Sequence, residues 1–312
     1  MTTVAALEVD RFDVWGTVGA LCVTDSTALG SAREILDATV DEVDRACSRF
    51  RPDAEVAALN SAAGHGPFRV STTLFDLVEA AMAAVATTDG ACDPTVLPAL
   101  VALGYDRDIE EIRGRDLGGH VRALPAPGAA GVVMDRDSRT IELAAQCALD
   151  LGAVGKARCA DLAAERIEHR LSVGCLVDLG GDLRVSGVAP EGGWRIGVAG
   201  DARTDADLAD ETVAISEGGV ASSSTELRRW QRGGAPVHHI VDPSTGLPAK
   251  VVFSLATVAA SSCVAANALS TAAIVWGEDA LYELPQRGAA GRLVRPDSTV
   301  ERVGGWPHPV AR

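Results

Sequence analysis

The sequence predicts an α+β fold of mixed, mostly antiparallel sheets with packed helices, and three observations carry that expectation. Short runs of strand character follow one another without the regular βαβ alternation of a doubly wound sheet. A few longer stretches instead repeat apolar residues at helical spacing. No G-x-G-x-x-G, G-x-x-x-x-G-K-[ST] or G-x-S-x-G run is present, which argues against Rossmann, P-loop and α/β-hydrolase architectures.

Taken in order, the chain opens on paired strands, Leu7 to Val14 and Val18 to Val23, joined around Gly16. A helix over Thr27 to Cys47 places Leu36, Val40, Val43 and Cys47 on one stripe. The next helix, Thr72 to Thr88, has Ser71 as N-cap and Gly90 just beyond its end. Asp106 to Gly131, rich in Arg, Gly and Pro, reads as an exposed connection. A strand pair around Val132 to Met134 and Thr140 to Leu143 precedes a helix from Val154 to Leu171. Short strands then dominate: Cys175 to Asp178, Leu183 to Ser186, Trp194 to Val198, Thr212 to Ser216 and His238 to Val241. Val251 to Gly277 carries no Asp, Glu, Lys or Arg. Its Ser, Thr and Ala content and its internal Asn267 fit a strand (Phe253 to Ala259) and a helix (Val264 to Val275) better than a membrane span.

A length of 312 residues suits one large domain or two smaller ones. No repeat or linker divides it, so residues 1–312 are read as one unit, with two interleaved subdomains as the alternative. The formal charge of −15 argues against nucleic acid and anionic membrane, which need a basic footprint. Aromatics make up only 4%, leaving Ala, Val and Leu to fill the core. The seven cysteines are scattered, never in a C-x-x-C pair, and read as small buried hydrophobes of a reducing compartment. With acidic Glu8 and Asp10 interrupting the N-terminus before an apolar stretch, no secretory leader is expected and the location is read as cytoplasmic, without membrane insertion.

Polar–glycine clusters punctuate the elements: Cys92-Asp93-Pro94-Thr95, Asp150 to Lys156, Asp178-Leu179-Gly180-Gly181-Asp182, and His238 to Gly246. Glycine admits close backbone approach, and a helix start offers free N–H groups to an anion. Lys156, in the first turn of its helix, opposes the macrodipole unless an anion sits nearby. His238 and His239 are expected on opposite faces of a strand, so at most one lines a given pocket. Asn267 and Thr271, four apart, share a helix face. They form either a tolerated polar spot or part of an oxygen-rich site for a hard cation.

Together these pieces resemble the ApbE-type flavin transferases, the FAD:protein FMN transferase family. The resemblance runs from about Asp13 to Gly277, through Trp15-Gly16-Thr17-Val18, Ser48-Arg49-Phe50, Leu59-Asn60, Asp93-Pro94-Thr95-Val96 and Asp150-Leu151-Gly152-Ala153 with Lys156 and Asp161. It continues through Gly180-Gly181-Asp182, His239 to Gly246 and Ala266-Asn267-Ala268-Leu269-Ser270-Thr271-Ala272. The resemblance implies an ApbE-like fold and a Mg²⁺-dependent transfer of FMN from FAD to a Thr or Ser of an acceptor flavoprotein, releasing AMP.

By the same resemblance, the Ala153 carbonyl, Asn267 and Thr271 form the metal shell. Asp150, Lys156, the Ala91-Cys92-Asp93 stretch and Val241 line the FAD site, Trp15 and Phe50 neighbour the flavin ring, and His239 orients phosphate or moves a proton. The chain departs from the family pattern where Trp15 replaces Met, Ala157 follows Lys156 in place of Gly, and Asn267 replaces Asp. The rival readings are an FAD pyrophosphatase giving FMN and AMP, and a non-catalytic FAD-binding protein in which Asn267 has abolished metal binding.

Overall fold

The structure is a computed structural model that describes residues 7–113, 116–201, 203–204 and 208–310. Residues 1–6, where the leader reading begins, lie outside the described residues, as do 114–115 within the Asp106 to Gly131 connection.

In chain order the elements are β1 (Val9–Val14), β2 (Thr17–Val23), α1 (Leu29–Cys47), α2 (Glu55–Ser61), β3 (Phe68–Arg69), α3 (Thr72–Thr87), α4 (Leu97–Ala102) and α5 (Ile109–Ile112). β4 (Val132–Asp135), β5 (Thr140–Leu143), α6 (Gly155–Leu171), β6 (Cys175–Leu179), β7 (Asp182–Ser186), β8 (Trp194–Val198), β9 (Glu211–Ile215) and β10 (Gly218–Ser224) follow. The chain continues with β11 (Arg229–Arg232), β12 (Ala235–His238), β13 (Val241–Asp242), β14 (Leu247–Pro248), β15 (Leu255–Ala260), α7 (Cys263–Trp276), α8 (Ala280–Gln286), β16 (Ala290–Val294) and β17 (Val300–Val303).

An eight-stranded sheet in the order β1-β2-β6-β7-β10-β15-β16-β17 organises the fold. Its neighbours pair antiparallel throughout, as a scarcity of βαβ units requires. The strands alternate between two cores. On β2, Leu21 and Val23 enter the cluster built with α1, α3 and α6, while Cys22 enters the opposite one beneath β8 and β9. Leu36 and Val43 of the α1 stripe are fully buried in the first cluster, and Trp194 of β8 anchors the second. β3, β5 and β4 form a small separate sheet.

Local chemistry explains the ends of several elements. Ser71 accepts from the Leu74 amide to cap α3, as its position predicts. β1 turns into β2 through Trp15 at φ +47° and Gly16 at φ +72°. Two positive φ values are what a two-residue hairpin loop of matching twist needs.

The structure corrects the sequence reading in a few places. The expected strand His238 to Val241 is broken: β12 ends at His238 and β13 begins at Val241, so His239 lies between strands. Asp106 to Gly131 is not wholly exposed, because α5 inserts Ile112 into a cluster with Tyr105 and Trp230. Phe253 lies ahead of β15, fully buried against α7 and α8. The uncharged stretch divides into β15 and α7, and among the described residues no helix is long and apolar enough to cross a membrane.

Candidate functional site

A cavity of about 680 Å³ opens where the β1–β2 turn, the end of α1, the start of α6 and one face of α7 meet. That volume is of the size that holds a cofactor-scale ligand. It gathers the twelve residues expected at the site, Trp15, Phe50, Ala91, Cys92, Asp93, Asp150, Ala153, Lys156, His239, Val241, Asn267 and Thr271, whereas Asp161, Asp178 and His238 do not line it.

Helix α7 is held at its start from two sides. Ser262 caps it through the Ala265 amide, and the Asp161 carboxylate of α6 accepts from the Cys263 and Val264 amides at 2.9 and 3.1 Å. These bonds satisfy N–H groups that a helix start leaves bare. Burial pushes the Asp161 carboxyl up, and the two amides oppose that shift. Thus fixed, α7 presents Asn267 and Thr271 to the cavity one turn apart. Ser223 of β10 reaches the same helix, 2.8 Å from Ser270 Oγ and 3.2 Å from Thr271 Oγ1.

Asn267 is the centre of a polar chain. Its Nδ2 donates to Asp182 Oδ1 at 2.6 Å, and Asp182 Oδ2 lies 2.7 Å from Lys156 Nζ. Lys156 Nζ also donates to the Leu179 and Gly180 carbonyls. The cation in the first turn of α6 therefore finds its anion within the chain, in Asp182. Asn267 Oδ1 is buried with no hydrogen-bond partner among the described residues, and Asp182 Oδ2 has only its ion pair with Lys156. A bare buried acceptor is costly unless something fills it.

With the Thr271 hydroxyl and the Ala153 carbonyl on the same cavity, the donor set is oxygen only, the chemistry a hard divalent cation takes. Among the described residues no group of three or more His, Cys, Asp or Glu stands together as a metal cluster. A cation here relies on neutral oxygens and on the ligand it accompanies.

Aromatic residues also line the cavity: Trp15, Phe50 and Tyr105. Trp15 Nε1 donates to Asp44 Oδ1 of α1 at 3.0 Å, which holds the indole at its unusual backbone angle. The Arg49 guanidinium lies 4.5 Å from the centre of the Phe50 ring and 4.1 Å from that of Tyr105. Arg49 also pairs with Asp150 Oδ2 at 3.3 Å. Phe50 keeps 46% of its surface exposed. Asp150 Oδ1 accepts from the Gly152 amide and Asp93 Oδ1 from the Thr95 amide, so both carboxylates brace their own loops as well as lining the cavity.

His239 is held well below the usual imidazole range, first by burial and then by its neighbours Arg228, His238 and Arg49. Its Nδ1 has no partner among the described residues, whereas its neighbour His238 spends Nε2 on the Ala249 carbonyl. Burial pushes the Cys92 thiol up to about 12, which removes it as a nucleophile near neutrality.

The family model described as the ApbE family matches residues 1–292. The chain belongs to the ApbE family. Among similar proteins of known sequence, an FAD:protein FMN transferase of Treponema pallidum is 30% identical over 92% of this chain and 85% of its own length. One of Vibrio cholerae is 26% identical over 78% and 73% respectively. Among solved structures, the ApbE protein of Thermotoga maritima superposes with a TM-score of 0.80 at 26% identity, covering 96% of this chain and 97% of its own. The apo flavinyl transferase ApbE of Pseudomonas stutzeri follows with a TM-score of 0.77 at 23% identity, covering 96% and 95%. These likenesses establish the ApbE-like α+β fold.

For this ApbE-family chain, sequence reasoning left several cavity residues without a role. Arg49 was visible inside the Ser48-Arg49-Phe50 run, but its stacking on Tyr105 joins segments 56 residues apart. Ser222 and Ser223 sit on β10, whose Gly-Gly-Val-Ala-Ser-Ser-Ser sequence carries little strand signal. Asp182, like Asp93, was a candidate from sequence for a carboxylate compensating Asn267, but nothing local indicated that it meets Asn267 through the amide nitrogen.

Proposed function

We propose that this ApbE-family chain is a Mg²⁺-dependent FAD:protein FMN transferase, which attaches FMN to a Thr or Ser hydroxyl of an acceptor flavoprotein and releases AMP. The observation that carries the reading is one cavity lined both by the oxygen-bearing Asn267, Thr271 and Ala153 and by the aromatic Trp15, Phe50 and Tyr105. It is supported by relatives named FAD:protein FMN transferase.

FAD fits such a site in a defined sense. Its flat ring system suits Trp15, Phe50 and Tyr105, and its pyrophosphate suits the side bearing Asn267, Thr271 and Ala153. Asn267 Oδ1, Thr271 Oγ1 and the Ala153 carbonyl would hold Mg²⁺, which neutralises pyrophosphate charge and makes the phosphorus easier to attack. The acceptor hydroxyl oxygen forms a bond to the FMN-side phosphorus as the P–O bond to AMP breaks, and AMP leaves with the electron pair. The hydroxyl proton needs an acceptor. His239, with Nδ1 unpartnered among the described residues, is the cavity imidazole that would take it, though burial makes it a weak base. Positioning and charge neutralisation do the remainder, as phosphoryl transfer requires.

The test is mass spectrometry of an acceptor protein incubated with the enzyme, FAD and Mg²⁺. A covalent FMN adduct is expected, and an unchanged acceptor mass overturns the reading. Free FMN and AMP formed without acceptor at the same rate would establish the pyrophosphatase instead.

A further inference from the structure

We infer that Asp182 is the positioning residue of the cation site: it locks the Asn267 amide with its nitrogen turned away and its oxygen left for the cavity. The inference rests on the metal-assisted reading above and concerns residues of this chain alone.

An asparagine side chain has two orientations of nearly equal shape, and only its partners decide between them. A carboxylate accepts and cannot donate. With Asp182 Oδ1 at 2.6 Å, the Asn267 nitrogen must face Asp182, and the amide oxygen is the atom left for the cavity. That oxygen is the buried acceptor without a partner among the described residues.

Asp182 is in turn well held. It is 2% exposed and pairs with Lys156 Nζ at 2.7 Å. It opens β7 directly after Gly180 and Gly181, both at positive φ, in a turn closed by the Gly181 amide on Asp178 Oδ1 at 2.7 Å. Lys156 spends its other donors on the Leu179 and Gly180 carbonyls. The order Lys156–Asp182–Asn267 thus transmits one fixed orientation from the start of α6 to the face of α7. A cation at Asn267 Oδ1 meets a polarised amide whose far end rests on a carboxylate.

This arrangement makes unusual demands on substitution. Replacing Asn267 by Asp alone would set two carboxylates about 2.6 Å apart, with the one lysine on the other oxygen of Asp182, a like-charge contact rather than a restored ligand. Replacing Asp182 by Asn leaves Lys156 facing the new amide oxygen, so the new amide nitrogen faces Asn267. Asn267 must then turn its oxygen inward and present N–H groups to the cavity, which repel a cation. The exchanged pair, Asp182→Asn with Asn267→Asp, satisfies every partner again: Lys156 faces the amide oxygen now at position 182, and the amide nitrogen there faces a carboxylate at position 267.

The experiment is Mn²⁺ binding to the FAD-loaded protein, read from loss of the free-ion signal in electron paramagnetic resonance, alongside thermal melting without metal. Wild type is expected to bind Mn²⁺, and Asp182→Asn to weaken binding by about tenfold or more. The exchanged pair is expected to recover it. Asn267→Asp alone is expected to melt lower than wild type, with the exchanged pair restoring the midpoint. Wild-type Mn²⁺ affinity in Asp182→Asn, or failure of the exchanged pair to recover both readouts, overturns the inference while leaving the metal reading intact. No Mn²⁺ binding by wild type overturns the metal reading and this inference with it.

Discussion

At the scale of single residues, the site is governed by which buried polar atoms have partners. Asp178 illustrates the cost. Burial raises its carboxyl to about 6, more than the Gly181 amide and the Lys156 charge can offset. Between about pH 4 and 6 the folded chain therefore binds this proton more tightly than the unfolded chain does. Stability from this group is greatest below that window and falls as pH rises through it. Asp178→Asn keeps an acceptor for the Gly181 amide and removes the titration. In denaturant melts the variant should match wild type near pH 4 and exceed it by up to about 3 kcal/mol near pH 8. Equal midpoints at both pH values would contradict the burial argument.

At the scale of elements, the placement of α7 against β10 decides the site. Gly219 shows how closely they approach: a Cβ there would lie 2.5 Å from the Cys263 nitrogen and 2.6 Å from its Cα. The obstacle is backbone, so it cannot rotate away. Gly219→Ala should cost about 1–3 kcal/mol and, by pushing the start of α7 outward, weaken FAD binding as well. Calorimetry and flavin fluorescence titration would show both; a variant that melts and binds like wild type would mean that α7 tolerates displacement.

Some of this scale was legible in advance. The Ser71 cap, the Leu36 and Val43 stripe and the turn at Gly16 are local patterns whose physics acts within a few residues. β10 was not, because small and hydroxylated residues become a central strand only when β7 and β15 flank them. The break at His239 was equally hidden, since the Ala249 amide pairs with the Ile240 carbonyl across the turn that follows.

At the scale of the whole molecule, the charge of −15 is a long-range field superimposed on a local site. It draws divalent cations and opposes a pyrophosphate, so the cation and the nucleotide should bind cooperatively. Raising NaCl from about 50 to about 500 mM screens that field. Under the proposed function, Mg²⁺ affinity should fall several-fold over this range, while FAD affinity measured without Mg²⁺ should rise. Isothermal titration resolves the two, and salt-independent affinities would assign binding to local contacts alone. The same acidity bears on polyanions such as nucleic acid far more than on one small cofactor.

Sequence by itself determined the fold class, the principal helices, the family resemblance and a part of the cavity lining, because each rests on local periodicity, turn chemistry or ordered motifs. Only the tertiary structure decided how those residues are paired. It turned the lysine of α6 toward Asp182, set Asp182 against an amide 85 positions away, and left Asn267 Oδ1 buried without a partner among the described residues. Hydrogen bonding is directional and short-ranged, so partners distant in sequence are chosen only once the sheet and helices have packed.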